Sequence, residues 1–293
     1  MLRSRIVSLG VSLPGRRLFR NGSLDHAVRA GREALAHTTY WPADIELLIN
    51  AGVHRDKHYA EPAFACFIQR ELGLNIDFQG RQTFSYDLID GAMGVLNALD
   101  TLDAHIKTGT VEVGMVVASE ANTDRHPRPE YTTARSGAAV ILDASPEASV
   151  GFRAFCFRNF FEHAGLYESY VDLSVKRGCL HVDRAAGFEG AALEAVGGTV
   201  PDFLKAEGLS PEEIDVVLPS QMSPSFVAGL GQRTGVPQDR VIDLTGDYPD
   251  THSTAPLLAL DRAMKSGRTG KGKRALFLGV GAGLSVGAAL YEF

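Results

Sequence analysis

Apolar positions along this chain fall into two rhythms. Short runs rich in β-branched and aliphatic residues occur at Ile6-Val7-Ser8-Leu9-Gly10-Val11, Ile45 to Ile49, Val113 to Ala118 and Gly137 to Leu142. Between them the apolar residues recur at helical spacing, as from Leu24 to Ala36. The runs predict strands and the spaced stretches predict helices packed on them. Helix ends are marked as well. Leu72 is followed by Gly73 and Thr234 by Gly235, and glycine takes the left-handed conformation that closes a helix at least cost.

The same succession occurs twice. Pro42-Ala43-Asp44-Ile45-Glu46-Leu47-Leu48-Ile49 is matched by Pro211-Glu212-Glu213-Ile214-Asp215-Val216-Val217-Leu218, and helical patterns precede both, Leu24 to Ala36 and Ala191 to Glu207. Ile68 to Leu74 is echoed by Leu230 to Val236, and Ala98-Leu99-Asp100 by Ala259-Leu260-Asp261. The strands Val113 to Ala118 and Arg274 to Gly279 follow, then Gly137 to Leu142 and Gly287 to Tyr291. Four matches kept in one order predict a duplication. Each half reads β-α-β-α-β-α-β-β. Parallel strands are apolar on both faces and need helices on both sides, so the expected α/β architecture is layered α-β-α-β-α. The expected division is 1–145, a connecting aromatic-rich insertion at 146–190, and 191–293. The insertion carries Phe152, Phe155, Phe157, Phe160, Phe161, Tyr167 and Tyr170, and is expected to cover a cleft or a partner, or to complete the core.

Composition narrows the function classes. Of 293 residues, 45% are hydrophobic and 22% charged, which is globular composition. A net charge of −6 with no long basic block gives no nucleic-acid surface. No apolar run approaches about 20 residues, so no membrane span is expected. The N-terminal Met1 to Gly15 reads as a first strand rather than a signal peptide. Three scattered cysteines, Cys66, Cys156 and Cys179, make no disulfide framework and fit a reducing cytoplasm. No cofactor or metal is expected. Cys179 and His181 lack a second pair at metal-ligand spacing. His54 and His58, four apart, sit among polar residues before Pro62 and read as a solvated loop rather than a metal site. The basic run Arg268 to Arg274 reads as a solvated turn, with contact to an acidic carrier protein as the alternative.

The duplicated plan, the opening Ile6 to Pro14, the blocks Val216 to Ser223 and Tyr248 to Leu260, and the closing Gly279-Val280-Gly281-Ala282-Gly283-Leu284-Ser285-Val286-Gly287 resemble the thiolase-like superfamily, close to β-ketoacyl-ACP synthase III. The glycines also have a reading of their own. Gly279, Gly281 and Gly283 alternate where a ligand or a second backbone comes close, and their place between two late strands is not that of a nucleotide-binding loop.

The resemblance implies a catalytic cysteine at the start of the central helix, a histidine and an asparagine. Matching Asp87 and Gly94 to the family pattern places Ala92 at the nucleophile. Ser220 falls at the histidine and Asp250 at the asparagine. All three are replaced. Cys66 reads as a buried helical residue and rescues nothing. Asp90 reads as a helix cap or as part of the substrate cavity. The family's helical segment around the pantetheine entrance is reduced here to Pro14–Ser23, which also puts acyl-CoA or acyl-carrier binding in question.

Two functions follow. The first is a non-condensing subunit, in a homodimer or in a heterodimer with a Cys-bearing ketosynthase, serving fatty-acyl or polyketide-type biosynthesis. It resembles the Cys-less subunit of the two-subunit alkylquinolone synthase. The alternative is an acyltransferase, hydrolase or cyclase without a cysteine acyl-enzyme. In that reading Asp90, Ser220, Ser223, Asp250 and His252 would cluster, with Ser220 as nucleophile, His252 as base and an aspartate as orienter, or with Asp250 itself as base, acting on acyl-CoA, an acyl carrier protein or their product.

Overall fold

The structure is a computed structural model that describes residues 2–13, 22–77, 80, 82–172, 174 and 179–293. The first half follows the expected order: β1 (Ser4–Ser12), α1 (Ser23–Ala36), β2 (Leu47–Asn50), α2 (Phe64–Leu72), β3 (Phe84–Asp87), α3 (Gly94–Lys107), β4 (Val113–Glu120) and β5 (Ser136–Ala144). Its sheet runs β1-β5-β4-β2-β3. The β2 strand is parallel to both β3 and β4, and β4 turns antiparallel onto β5.

The second half contains β6 (Gly151–Asn159), the hairpin β7 (Tyr167–Asp172) and β8 (Cys179–Arg184), then α4 (Phe188–Ala206), β9 (Val216–Pro219), α5 (Pro224–Thr234), α6 (Ala255–Lys265), β10 (Arg274–Gly281) and β11 (Ser285–Glu292). Its sheet runs β6-β11-β10-β9. The expected strand between α5 and α6 is reduced to one bridge, Val217 to Val241. Within 146–190, the first strand residues join the second sheet by pairing β6 with β11, and the rest supplies the β7–β8 hairpin.

Alternation along the strands produces the layers. In β4, Val116 and Ala118 face a central core with α3 and α6, while Val113, Met115 and Val117 face α1 and α2. In β9 and β10, Val216, Leu218 and Phe277 join the central core, and Val217, Leu276 and Leu278 pack under α4 and α5. The order is therefore α1/α2, sheet, α3/α6, sheet, α4/α5. A period of two on strands between helices leaves no other way to bury both faces.

Local chemistry fixes the helix ends near the site. The Asp56 carboxylate accepts from the backbone N–H groups of Ser23 and Leu24 at the start of α1, and Ser23 Oγ accepts from Asp56 N–H in return. Asp87 does the same for α2, accepting from Phe64 and Ala65 N–H and from Arg55. Gly73 and Gly235 close α2 and α5 at φ of 71° and 78°, as their spacing predicts. Cys66, expected in the core, is exposed instead. It lies on the outer face of α2, whose buried positions are Phe64, Ala65, Ile68 and Leu72.

Candidate functional site

Loops from both halves meet at the N-terminal end of α3. Ala92, 7% exposed, stands just ahead of the helix. Ser220 and Met222 come from the loop after β9, Asp250 and His252 from the loop before α6, and Val280 to Ala282 from the end of β10. Tyr167, Arg184 and Phe188 close the space from the hairpin and α4. The cavity they line is about 30 Å³, room for one or two waters and far below the several hundred Å³ of a drug-sized ligand pocket.

The glycines of the closing hairpin make room for a neighbour at this point. A Cβ on Gly281 would lie 3.0 Å from Met93 Cγ, and one on Gly287 would lie 2.2 Å from Met93 Cε and 3.0 Å from the Phe157 ring. The close approach expected of this segment is thus made by the side chain of Met93, at the tip of α3. Gly283 instead serves the turn, at φ of 121°.

Ala92, Ser220, Asp250 and His252 are brought together, but not as a serine triad. Ser220 Oγ accepts the backbone N–H of Val280 at 3.0 Å. Asp250 Oδ1 accepts the backbone N–H of His252 rather than its ring, and its own carbonyl accepts from Ala134. The His252 ring turns to Glu120, with Nδ1 3.3 Å from Oε1. Asp90 is exposed and lies outside the cavity. Its carboxylate accepts from Asn97 at 2.5 Å, and only its backbone carbonyl serves the helix start, accepting from Met93 N–H. None of the three cysteines lines the cavity. Residues 14–21 of the shortened segment lie outside the described residues.

The residue that sequence reading missed is Glu120, at the end of β4. It is fully buried and accepts from the backbone N–H of Val53 and His54 and from Ser253 Oγ. His54, expected in a solvated loop, is 3% exposed, with Nδ1 2.7 Å from Glu120 Oε2. Its ring lies 4.9 Å from that of His252 and 5.0 Å, edge-on, from that of Tyr131. The signal that was available is the glutamate closing the otherwise apolar run Val113 to Ala118. A carboxylate there has no place in a core unless partners meet it. Beyond His54 opens a groove of about 450 Å³ between Val53 to Ala60 and the β7–β8 hairpin.

Charge follows this geometry. Burial pushes the Glu120 carboxyl up, but the two histidines outweigh it and hold it well below the usual carboxylate range. Burial pushes His252 down, and Glu120 more than reverses this, so the imidazole holds its proton above its ordinary value. Asp250 is raised by desolvation, which His252 only partly offsets. Tyr167 is pushed up to about 12, chiefly by burial. Backbone strain falls here too, since His252 has φ of 49°, a left-handed conformation that a histidine adopts at some cost.

Layered halves, central helices and a cleft at the tip of α3 define a thiolase-like fold. Comparison with known proteins agrees. The family model for 3-oxoacyl-[acyl-carrier-protein (ACP)] synthase III C terminal matches residues 204–293. The 3-oxoacyl-[acyl-carrier-protein] synthase III of Aquifex aeolicus VF5 superposes with a TM-score of 0.85 at 22% identity, covering 99% of this chain and 100% of that one. FabH of Pseudomonas aeruginosa PAO1 gives 0.85 at 19% identity, with 99% and 98% covered. Xanthomonas campestris OleA, in a cysteine-to-serine form with bound lauric acid and lauroyl-CoA, gives 0.84 at 19% identity, with 99% of each chain covered. The chain has the thiolase-like, ketosynthase III-like fold.

Proposed function

We propose that this protein is a non-condensing ketosynthase III-like subunit that pairs with a Cys-bearing ketosynthase in fatty-acyl or polyketide-type biosynthesis, in the cytoplasm. The observation that carries the reading is Ala92. A methyl group faces a thiol-free cavity at the helix tip, where the family resemblance places the nucleophile. A thioester exchanges its acyl group onto a nucleophilic atom, and alanine has none. Ser220 is held by the backbone of Val280 and does not meet the His252 ring, which weakens the serine-based alternative. Pairing is supported by the free edge of the first sheet. Among the described residues the β3 strand bonds only to β2, and it carries Phe84, 67% exposed, with Ile89, 56% exposed, just beyond. An unpaired apolar edge is a template for a second chain.

Incubation of the purified chain with a series of acyl-CoAs tests the reading, followed by intact-protein mass spectrometry and assay of free thiol. Neither an acyl adduct nor released CoA is expected from the chain alone. Co-expression with a Cys-bearing ketosynthase should give a stable heterodimer in which the partner is acylated. Turnover by the chain alone, abolished in Ser220→Ala or Asp250→Ala, would overturn the subunit reading and establish the acyltransferase, hydrolase or cyclase alternative. The His252–Glu120 pair at the cavity wall is the observation that keeps this alternative in view, since a carboxylate-oriented imidazole is a competent general base.

A further inference from the structure

We infer that His54, Glu120 and His252 form a site for a single divalent transition-metal ion of the zinc type, clamping together loops from the two halves of the fold. One donor atom from each of the three lies within 4.8 Å of the other two, and all three residues are buried. Among the described residues this is the one such group of histidine, cysteine and carboxylate side chains.

The donor set is the one zinc uses. Two imidazoles and a carboxylate leave a fourth position for water, and ions of this class favour nitrogen ligands where magnesium or calcium would require an all-oxygen shell. Ligand distances of about 2.0–2.2 Å place tetrahedral donors about 3.4 Å apart. The separation of 3.3 Å from His252 Nδ1 to Glu120 Oε1 matches that value, and that of 2.7 Å from His54 Nδ1 to Glu120 Oε2 is shorter.

The second observation is independent of this spacing. Both ring nitrogens of His54 are buried and have no hydrogen-bond partner, although Nδ1 stands so near Glu120. The approach is close but out of line for a hydrogen bond, as when two groups address a third rather than each other. A buried imidazole without partners requires an explanation, and a shared cation supplies one. The supports of the cluster are ordered as well. Backbone N–H groups of Val53 and His54 and the Ser253 hydroxyl fix the Glu120 carboxylate, as outer-shell contacts do for ligating carboxylates. Gly52 lets the His54 loop close on β4, since a Cβ there would lie 2.4 Å from the Ser119 carbonyl oxygen. The ion would sit between the cavity beside His252 and the groove beside His54, reachable from the latter. The inference does not depend on the subunit reading.

The test uses the tag-free full chain, stripped with a chelator and titrated with ZnCl2 by calorimetry and with CoCl2 by absorption spectroscopy. One ion per chain is expected, with cobalt d–d bands of a low-coordinate nitrogen/oxygen site and no thiolate charge-transfer band. His54→Gln and His252→Gln should each weaken binding by at least about 100-fold, while Cys66→Ser and Cys179→Ser leave it unchanged. If a histidine variant fails to fold, the ligand set is read from X-ray absorption of the wild-type zinc form. No binding by wild type at about 1 mM ion, a thiolate band, or binding that survives both histidine substitutions would overturn the proposal, leaving the three residues as an ion-paired hydrogen-bond network only.

Discussion

The two sheets share one plan and differ at one edge. In the first half the chain after α2 forms β3, pairs with β2, and leaves its far side open with Phe84 outward. In the second half the chain after α5 makes only the bridge Val217 to Val241, and a side chain replaces the missing ladder. Gln221 is wholly buried. Its amide donates to the carbonyls of Pro219 and Ile242, and its oxygen accepts Leu244 N–H. Asn50 stands at the end of β2 as Gln221 stands beyond β9, but it bonds forward to the Asp87 side chain and to Gly52 N–H, leaving β3 a full strand. A sheet edge can be capped from within or left open, and among the described residues this molecule does one on each side.

Breaking the cap should have the largest effect. Gln221→Ala strands the Leu244 N–H and the Ile242 carbonyl in the interior, at a cost of about 3 kcal/mol. Urea denaturation followed by circular dichroism measures it, and a loss below about 1 kcal/mol would mean that the loop caps the edge without Gln221. Next in size is the open edge. Phe84→Asp should leave the unfolding midpoint of the isolated chain nearly unchanged, because the ring is already in solvent, yet weaken self- or partner association by about tenfold or more. Light scattering across a dilution series reads this out, and an oligomer indifferent to the change would move the interface elsewhere.

The smallest effect belongs to the seam between the halves. Glu292 at the end of β11 pairs with Arg3, just ahead of β1, at 2.5 Å, and with Arg274. Burial raises its carboxyl, but Arg3 and then Arg274 bring it below the ordinary value. A carboxylate lowered on folding contributes stability that is complete above its unfolded pKa and is lost as pH falls through the folded value. Stability should therefore decline from the ordinary glutamate range downward, and Glu292→Gln should flatten that decline. Thermal melts from about pH 3 to about pH 7 compare the two proteins, and parallel curves would assign the acid sensitivity to other groups.

Much of this was legible in the chain. The duplication, the α-β-α-β-α layers and the glycine helix ends follow from short-range periodicity, which reports which way each side chain faces. Of the residues that the resemblance to ketosynthase III grouped, Ala92, Ser220, Asp250 and His252 line one cavity and Asp90 does not. What each polar group bonds to was not. Ser220 reads as a free nucleophile until Val280 N–H is seen on its hydroxyl, and Asp250 reads as an orienter until it is seen holding a backbone amide. Asp90 reads as a cavity residue until it is seen in solvent beside Asn97.

Sequence alone determined the order of elements and the absence of a cysteine from residues 86–95, because both are properties of neighbours along the chain. Only the tertiary structure decided that positions 54, 120 and 252 share one buried point. No local pattern links residues so far apart. They meet because β2 lies parallel beside β4, which sets the loop after β2 against the end of β4, and because the loop before α6 packs onto the same point. There the carboxylate of Glu120, far from bulk water, is stabilised only by the groups that the fold brings to it.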